Sequence, residues 1–104
     1  MSTEGAKARD IQRIAKNGPG VALSSEELSS GDTSRIEIGF PAEKFTMYTT
    51  GTLTAQVTPK IGDQDANPAV SATGTVSTTT TANMFAAVEI TATGGTGKLV
   101  ILAR

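Results

Sequence analysis

From Arg35 onward, apolar and polar positions alternate with a period of two. Ile36, Ile38 and Phe40 alternate with Arg35 and Glu37, the pattern of a half-buried strand. Pro41 is expected to end that strand, because proline cannot donate to a ladder. Phe45, Met47 and Thr49 then alternate with Thr46, Tyr48 and Thr50, and beyond Gly51 the residues Leu53, Ala55 and Val57 alternate with Thr52, Thr54, Gln56 and Thr58. These predict two further strands, or one strand bent at Gly51. Val70, Ala72, Gly74 and Val76 predict a weaker strand, Thr78 to Thr81 a polar edge or loop, and Met84, Ala86, Val88, Ile90 and Ala92 a clearer strand. The closing run Leu99 to Ala103 is apolar on both faces, as in a central strand covered on each side. Turn chemistry falls between these runs, at Gly62-Asp63-Gln64-Asp65-Ala66-Asn67-Pro68 and at Gly94-Gly95-Thr96-Gly97. The pattern predicts a mainly β fold: an antiparallel β-sandwich or jelly-roll-like barrel of six to seven strands, over residues 21–104.

Residues 1–20 read differently, as a short helical or extended arm. Ala8, Ile11, Ile14 and Ala15 share one face at helical spacing over residues 3–17, Thr3 or Ser2 can cap, and Asn17-Gly18-Pro19-Gly20 stops the pattern. So thin a stripe does not stabilise an isolated helix, which must dock on something or fray. Lys7, Arg9, Arg13 and Lys16 outnumber Glu4 and Asp10, so the arm is locally basic. The candidates for partner contact are therefore Lys7, Arg9, Ile11, Arg13, Ile14 and Lys16, weighed against a plain solvated face. Val21 to Leu23 is a short apolar triplet. After it, Ser24 and Glu27 have the spacing of a capping box, but no apolar run follows and a surface loop is the stronger reading of residues 24–32.

Composition narrows the chemistry. Among 104 residues there is no His, Cys or Trp, so disulfides, thiolate or imidazole metal sites, Cys nucleophiles and Ser-His-Asp triads are excluded. The chain is expected not to be an enzyme and to need no cofactor. Seventeen threonines and a charged fraction of 18% favour β-branched, turn-rich structure. A net charge of −1 argues against nucleic acid as a partner. The longest strongly apolar run is far shorter than the roughly 20 residues of a spanning helix, and no export signal precedes it, so no membrane partner is expected.

Several motifs invite functional readings. Asp63, Asp65 and Asn67 resemble the first half of a calcium loop, but Pro68 stands where such a loop needs glycine and Gly74 where it needs a bidentate glutamate. An Asx-rich hairpin loop is the stronger reading and calcium the lesser one. Gly94 to Gly97 with Lys98 invites comparison with a phosphate loop, yet Leu99 replaces the hydroxyl residue and a strand follows, so a β-turn is expected. The acid pair Glu26-Glu27 predicts no cleft for glycosidic chemistry. Glu89 should face away from Val88 and Ile90, toward solvent or a subunit. Threonine-rich strand faces could bind a repetitive lattice or sugar, although exposed threonine is more simply a good β former.

The stretch from Phe45 to Arg104 resembles small virion proteins of tailed bacteriophages, in the strand pair at Thr49 to Val57, the D-x-D loop at Asp63 to Asn67, the threonine-rich middle at Thr73 to Thr81 and the closing strands at Ala86 to Leu102. It departs from them in lacking a tryptophan after the D-x-D loop and in carrying the helical arm. The resemblance implies a β-sandwich or jelly-roll-like decoration, head-fibre or tail-associated protein, whose arm grips the capsid and which forms trimers. The expected function is therefore that of a capsid decoration or cement protein. Its partners would be the major capsid protein and further copies of itself, and its place the virion after assembly in the host cytoplasm. The alternative is a head- or tail-fibre adhesion module for host-surface glycans.

Overall fold

The period-two pattern becomes nine strands in residues 20–104, the part of the chain that the computed structural model describes; the arm helix predicted over residues 3–17 lies outside the described residues. The strands are β1 (Val21–Ser24), β2 (Leu28–Ser29), β3 (Thr33–Thr49), β4 (Thr54–Ile61), β5 (Gln64–Asp65), β6 (Val70–Ala72), β7 (Ser77–Gly94), β8 (Thr96–Gly97) and β9 (Leu99–Ala103). All pairings are antiparallel, in the order β1-β9-β3-β7-β4-β5, with β6 also on the edge of β4 and β2 paired to β8 separately.

Two long strands turn this sheet into two layers. β3 and β7 pair twice, Thr33 to Glu37 against Thr91 to Ala87 and Lys44 to Met47 against Thr80 to Ser77, with register shifts between. In that interval Gly39 adopts a φ of 88° and Pro41 has no N–H to donate, so the ladder is interrupted and the strand bends. Layer one holds the first half of β3, the second half of β7, and β4, β5 and β6. Layer two holds β1, β9, the second half of β3 and the first half of β7. Ile36, Val57, Val88 and Ile90 from layer one and Phe45, Met47, Leu99 and Ile101 from layer two join one buried cluster, so these faces are packed together. Phe45 and Phe85 meet edge to face at the bend, with ring centroids 5.6 Å apart and planes at 84°. The buried Thr49 hydroxyl is satisfied by donating to the Leu53 carbonyl at 2.6 Å.

The antiparallel sandwich of jelly-roll type agrees with the sequence; several details correct it. Pro41 does not end its strand, because the bend places it where no ladder bond is needed. The main sheet has seven strands, within the predicted six to seven, with Val21 to Ser24 pairing along β9 as an edge strand; the two-residue pair β2 and β8 brings the count to nine. Of the two readings of Thr78 to Thr81, a polar edge or a loop, the edge holds: Thr78 to Thr80 pair with β3 on one side only. Met84, expected to face the core, is 50% exposed, while its neighbour Phe85 is fully buried. Phe85 and Val88 are an odd number of residues apart yet share the core, so the irregularity in β7 has switched its faces. β6 ends at Ala72, and Gly74 and Val76 fall outside it.

Candidate interaction surfaces

The loop at residues 24–32 is fastened to the end of the sandwich. Ser25 donates its backbone N–H to the Leu99 carbonyl at 2.9 Å, and its hydroxyl accepts from the Leu99 N–H at 3.0 Å. Leu28 is buried beside it. Gly31 donates to the Ala92 carbonyl and Ala92 donates to the Asp32 carbonyl, at 2.9 and 2.8 Å. Residues 25–27 and 30–32 are loop as read, Ser24 closes β1 and Leu28–Ser29 form β2, and Ser24 with Glu27 builds no helical turn. Glu26 remains exposed; its own backbone N–H and the Ser34 hydroxyl hold its carboxyl below the ordinary value of 4.5.

The Asp63 loop forms the expected hairpin, Ile61 facing Gln64 across Gly62-Asp63. It does not assemble the candidate calcium set. The Asp65 carboxylate accepts from Lys60 Nζ at 2.7 Å, and the Asn67 side chain exchanges bonds with the Asn83 backbone, donating to its carbonyl at 2.9 Å and accepting its N–H at 3.1 Å. Among the described residues no group of three His, Cys, Asp or Glu side chains is placed to hold a metal ion. The glycines of the rejected phosphate loop have a packing role. A Cβ at Gly95 or Gly97 would stand 2.0 Å from the carbonyl oxygen of Thr52 or Thr50, so the segment closes onto the 50–52 turn only without side chains.

Threonine faces are likewise occupied with their own fold. Thr46 and Thr78 share a hydrogen bond at 2.9 Å, Thr54 and Thr93 one at 3.1 Å, and the Thr81 hydroxyl donates to the Asn83 carbonyl at 2.7 Å. A shallow groove beside them is lined by Pro59, Asn67, Pro68, Val70 and Thr79 to Ala82.

The outer faces of the two layers are unlike. On layer one Arg35 lies across from Glu89, donates through Nε to Glu37 at 2.6 Å and reaches over β7 to the Gly62 carbonyl at 2.8 Å. The Glu37 hydrogen bond holds the Arg35 guanidinium above its ordinary value, and the Asp65 hydrogen bond does the same for Lys60. Glu89 is exposed here, on the side away from Val88 and Ile90 as the alternation predicts. On layer two the outward residues are Thr46, Tyr48 and Leu102, since Phe45, Met47, Ile101 and Ala103 point into the core. Tyr48 and Leu102 form a second buried cluster with half-buried Val76 and Val100. Sequence reading did not single out Leu102; the signal that pointed to it was the run Leu99 to Ala103, apolar on both sides. The arm's candidate contact residues Lys7, Arg9, Ile11, Arg13, Ile14 and Lys16 lie outside the described residues.

No protein-family model and no curated protein matches this chain. Among solved structures it is similar to RmlC from Streptococcus suis, determined in complex with dTDP-D-xylose, with a TM-score of 0.53 and 10% identity. The match covers 89% of this chain and 47% of RmlC, so the chain spans about half the length of that protein. At this identity the likeness is one of fold.

Proposed function

We propose that this chain is a structural virion protein that decorates a bacteriophage capsid and stabilises it through multivalent contacts with the major capsid protein and with further copies of itself, a trimer being favoured. The observation that carries this reading is where the apolar surface lies. The space between the layers is filled by Phe45, Met47, Phe85, Ile90, Leu99 and Ile101, all fully buried. Outside that core, the large apolar side chains left open to a partner among the described residues are Ile61 and Met84, 51% and 50% exposed. Cementing requires no reacting group. Each copy bridges capsid subunits, and many individually weak contacts sum over a shell. The fastened 24–32 loop suits this role, because a surface that is already ordered loses little entropy on docking.

Capsids assembled without the protein should break at a lower temperature than complete ones, and adding purified chain should restore the difference. Equal breakage temperatures would overturn the proposal. The groove beside Asn67 and Thr79 favours, as a second reading, an adhesion module for host glycans. It ranks lower because the Asn67 and Asn83 amides are already bonded within the fold. Retention on a glycan array by a chain without effect on capsid breakage would select it.

A further inference from the structure

Layer two ends in two open edges. It runs β1, β9, β3 and the first half of β7, each antiparallel to the next. Lys44 exchanges its backbone hydrogen bonds with Arg104, on the β9 side, so alternation gives those of Phe45 and Met47 to Thr79 and Ser77. The N–H and C=O groups of Thr78 and Thr80 therefore point away from β3. At the far edge Ser25 donates to the Leu99 carbonyl, so Val21 and Leu23 bond along β9 and the groups of Ala22 and Ser24 point outward. Neither set has a partner among the described residues. Soluble proteins commonly blunt such edges with charge or proline. Neither Val21 to Ser24 nor Ser77 to Thr81 carries either.

Two observations match these edges to one another. Because β9 and β3 stand between them in alternating sense, β1 and the first half of β7 run in opposite directions. A neighbouring copy turned about an axis along the strands thus brings its β1 antiparallel to β7. The outward groups of Ala22 and Ser24 then meet those of Thr80 and Thr78, with Leu23 opposite Thr79. The side chains match as well. Val21 and Leu23 share a face with Ala103 and Ile101, toward the core, and remain half-buried at its rim. Thr79, across from Phe45, faces the same way and lines the apolar groove with Pro59, Pro68 and Val70. A β1 strand added beside β7 directs Val21 and Leu23 into that groove, which removes apolar surface of both partners from water.

We propose that copies of this chain join head to tail, β1 of one copy adding to the first half of β7 of the next, with Leu23 seated in the groove beside Thr79. Main-chain hydrogen bonds supply the pairing and the groove fixes which side chains enter, as in other strand additions. Pairing of β7 with β7 of a two-fold mate would set threonine against threonine, but it leaves the β1 edge open and puts no apolar side chain of β1 into the groove. A head-to-tail contact uses both edges of every copy and closes into a ring where the rotation allows. Such a ring is what the favoured trimer requires, while the pairing itself stands whether or not the partner is a capsid.

The chain has no cysteine, so introduced ones report neighbours directly. Leu23 and Thr79 should face each other as a non-hydrogen-bonded pair, the kind with the closer side chains. Full-length protein carrying Leu23→Cys, mixed with protein carrying Thr79→Cys and oxidised, should give a disulfide-linked pair on a non-reducing gel, and neither protein should cross-link alone. Linkage of the Thr79→Cys protein to itself would overturn the proposal in favour of a two-fold β7 edge, and absence of linkage in the mixture would overturn it outright. Thr80→Pro tests the same contact without cysteine. The N–H it removes faces the open edge, so the ladder to β3 and the far-ultraviolet strand signal should be kept while the mass by light scattering falls to that of a single chain. If a cysteine variant fails to fold, this measurement decides. An assembly that Thr80→Pro leaves intact, or a natural chain that is single at every concentration, would overturn the proposal. Loss of assembly in Thr80→Pro with unchanged capsid breakage would support the pairing and reject the capsid reading alone.

Discussion

The two outer faces are built from the same two strands, β3 and β7, yet they meet different surroundings. On layer one the outward positions are Arg35, Glu37, Glu89 and Lys60, with Arg35 paired to Glu37 and Lys60 to Asp65. On layer two the outward positions are Thr46 and Tyr48, with Leu102 beside them, and all three are buried. A strand that bends between layers can therefore change not only which side faces the core but also what covers its far side. The charged face is complete as a two-layer surface, since water solvates it. The Tyr48 face is not, since burying apolar side chains there is worth roughly 25 cal/mol per Å² only if something lies over them.

The largest effect should come from placing a charge under that cover. Leu102→Asp buries a carboxylate with no cation provided for it, and should cost on the order of 4 kcal/mol in a denaturant melt. Glu89→Leu, the reverse change on the other face, should leave the midpoint almost where it was. Equal and small effects at the two positions would show that the Tyr48 face is open to water, and the contrast between the faces would be lost.

A smaller loss distinguishes coverage from mere proximity. Leu99 points into the core and Leu102 away from it, so a two-layer protein would lose far more from Leu99→Ala than from Leu102→Ala. With both sides of β9 packed, the two truncations should cost similar amounts, about 3 kcal/mol each. A Leu102→Ala cost well below half that of Leu99→Ala would break the comparison.

Much of this was legible in the alternation. Ile36 and Ile38, Ala55 and Val57, and Val88 and Ile90 all read correctly as inward positions, because flat strands keep a strict period of two. The pattern failed where strands bend. Pro41 reads as a terminator only if the ladder is continuous, and here the bend removes the need for its missing donor. Met84 and Phe85 exchanged roles because an irregularity shifts phase without leaving a mark in composition. Thr46 and Tyr48 look like a solvated face by residue type, and only the two-sided run of β9 argues otherwise. The candidate calcium loop shows the limit for sites. Spacing places oxygens in sequence, whereas Lys60 and Asn83, brought in by other strands, decide where those oxygens point.

Thr46 tests the polar part of the covered face. Its hydroxyl meets that of Thr78 across the ladder at 2.9 Å, with Thr46 almost fully buried. Thr46→Val keeps the shape and removes the bond, leaving Thr78 to find another partner, and should cost about 1 kcal/mol. The double change to valine at both positions should recover part of that loss, since no hydroxyl is then left unpaired. A double variant less stable than the sum of the singles would mean that these hydroxyls serve some further contact on this face.

The smallest effect belongs to the charged face and appears only with pH. Lys60 has its covered stem along layer one and its ammonium at the surface, where the hydrogen bond it donates to Asp65 raises it above the ordinary value of 10.5. A cation whose pKa is higher in the folded state adds stability that is fully present below the unfolded value and is lost as pH rises through the folded one. Melting temperature should accordingly decline a little more steeply with pH above 10.5 in the natural chain than in Asp65→Asn, where the partner charge is gone. Every other side chain is common to both proteins, so the difference between the two melting series isolates the pair. Added salt should shrink that difference, because the pair is exposed to screening. Identical slopes at low salt would mean that this pair contributes nothing to stability, leaving solvation alone to account for the charged face.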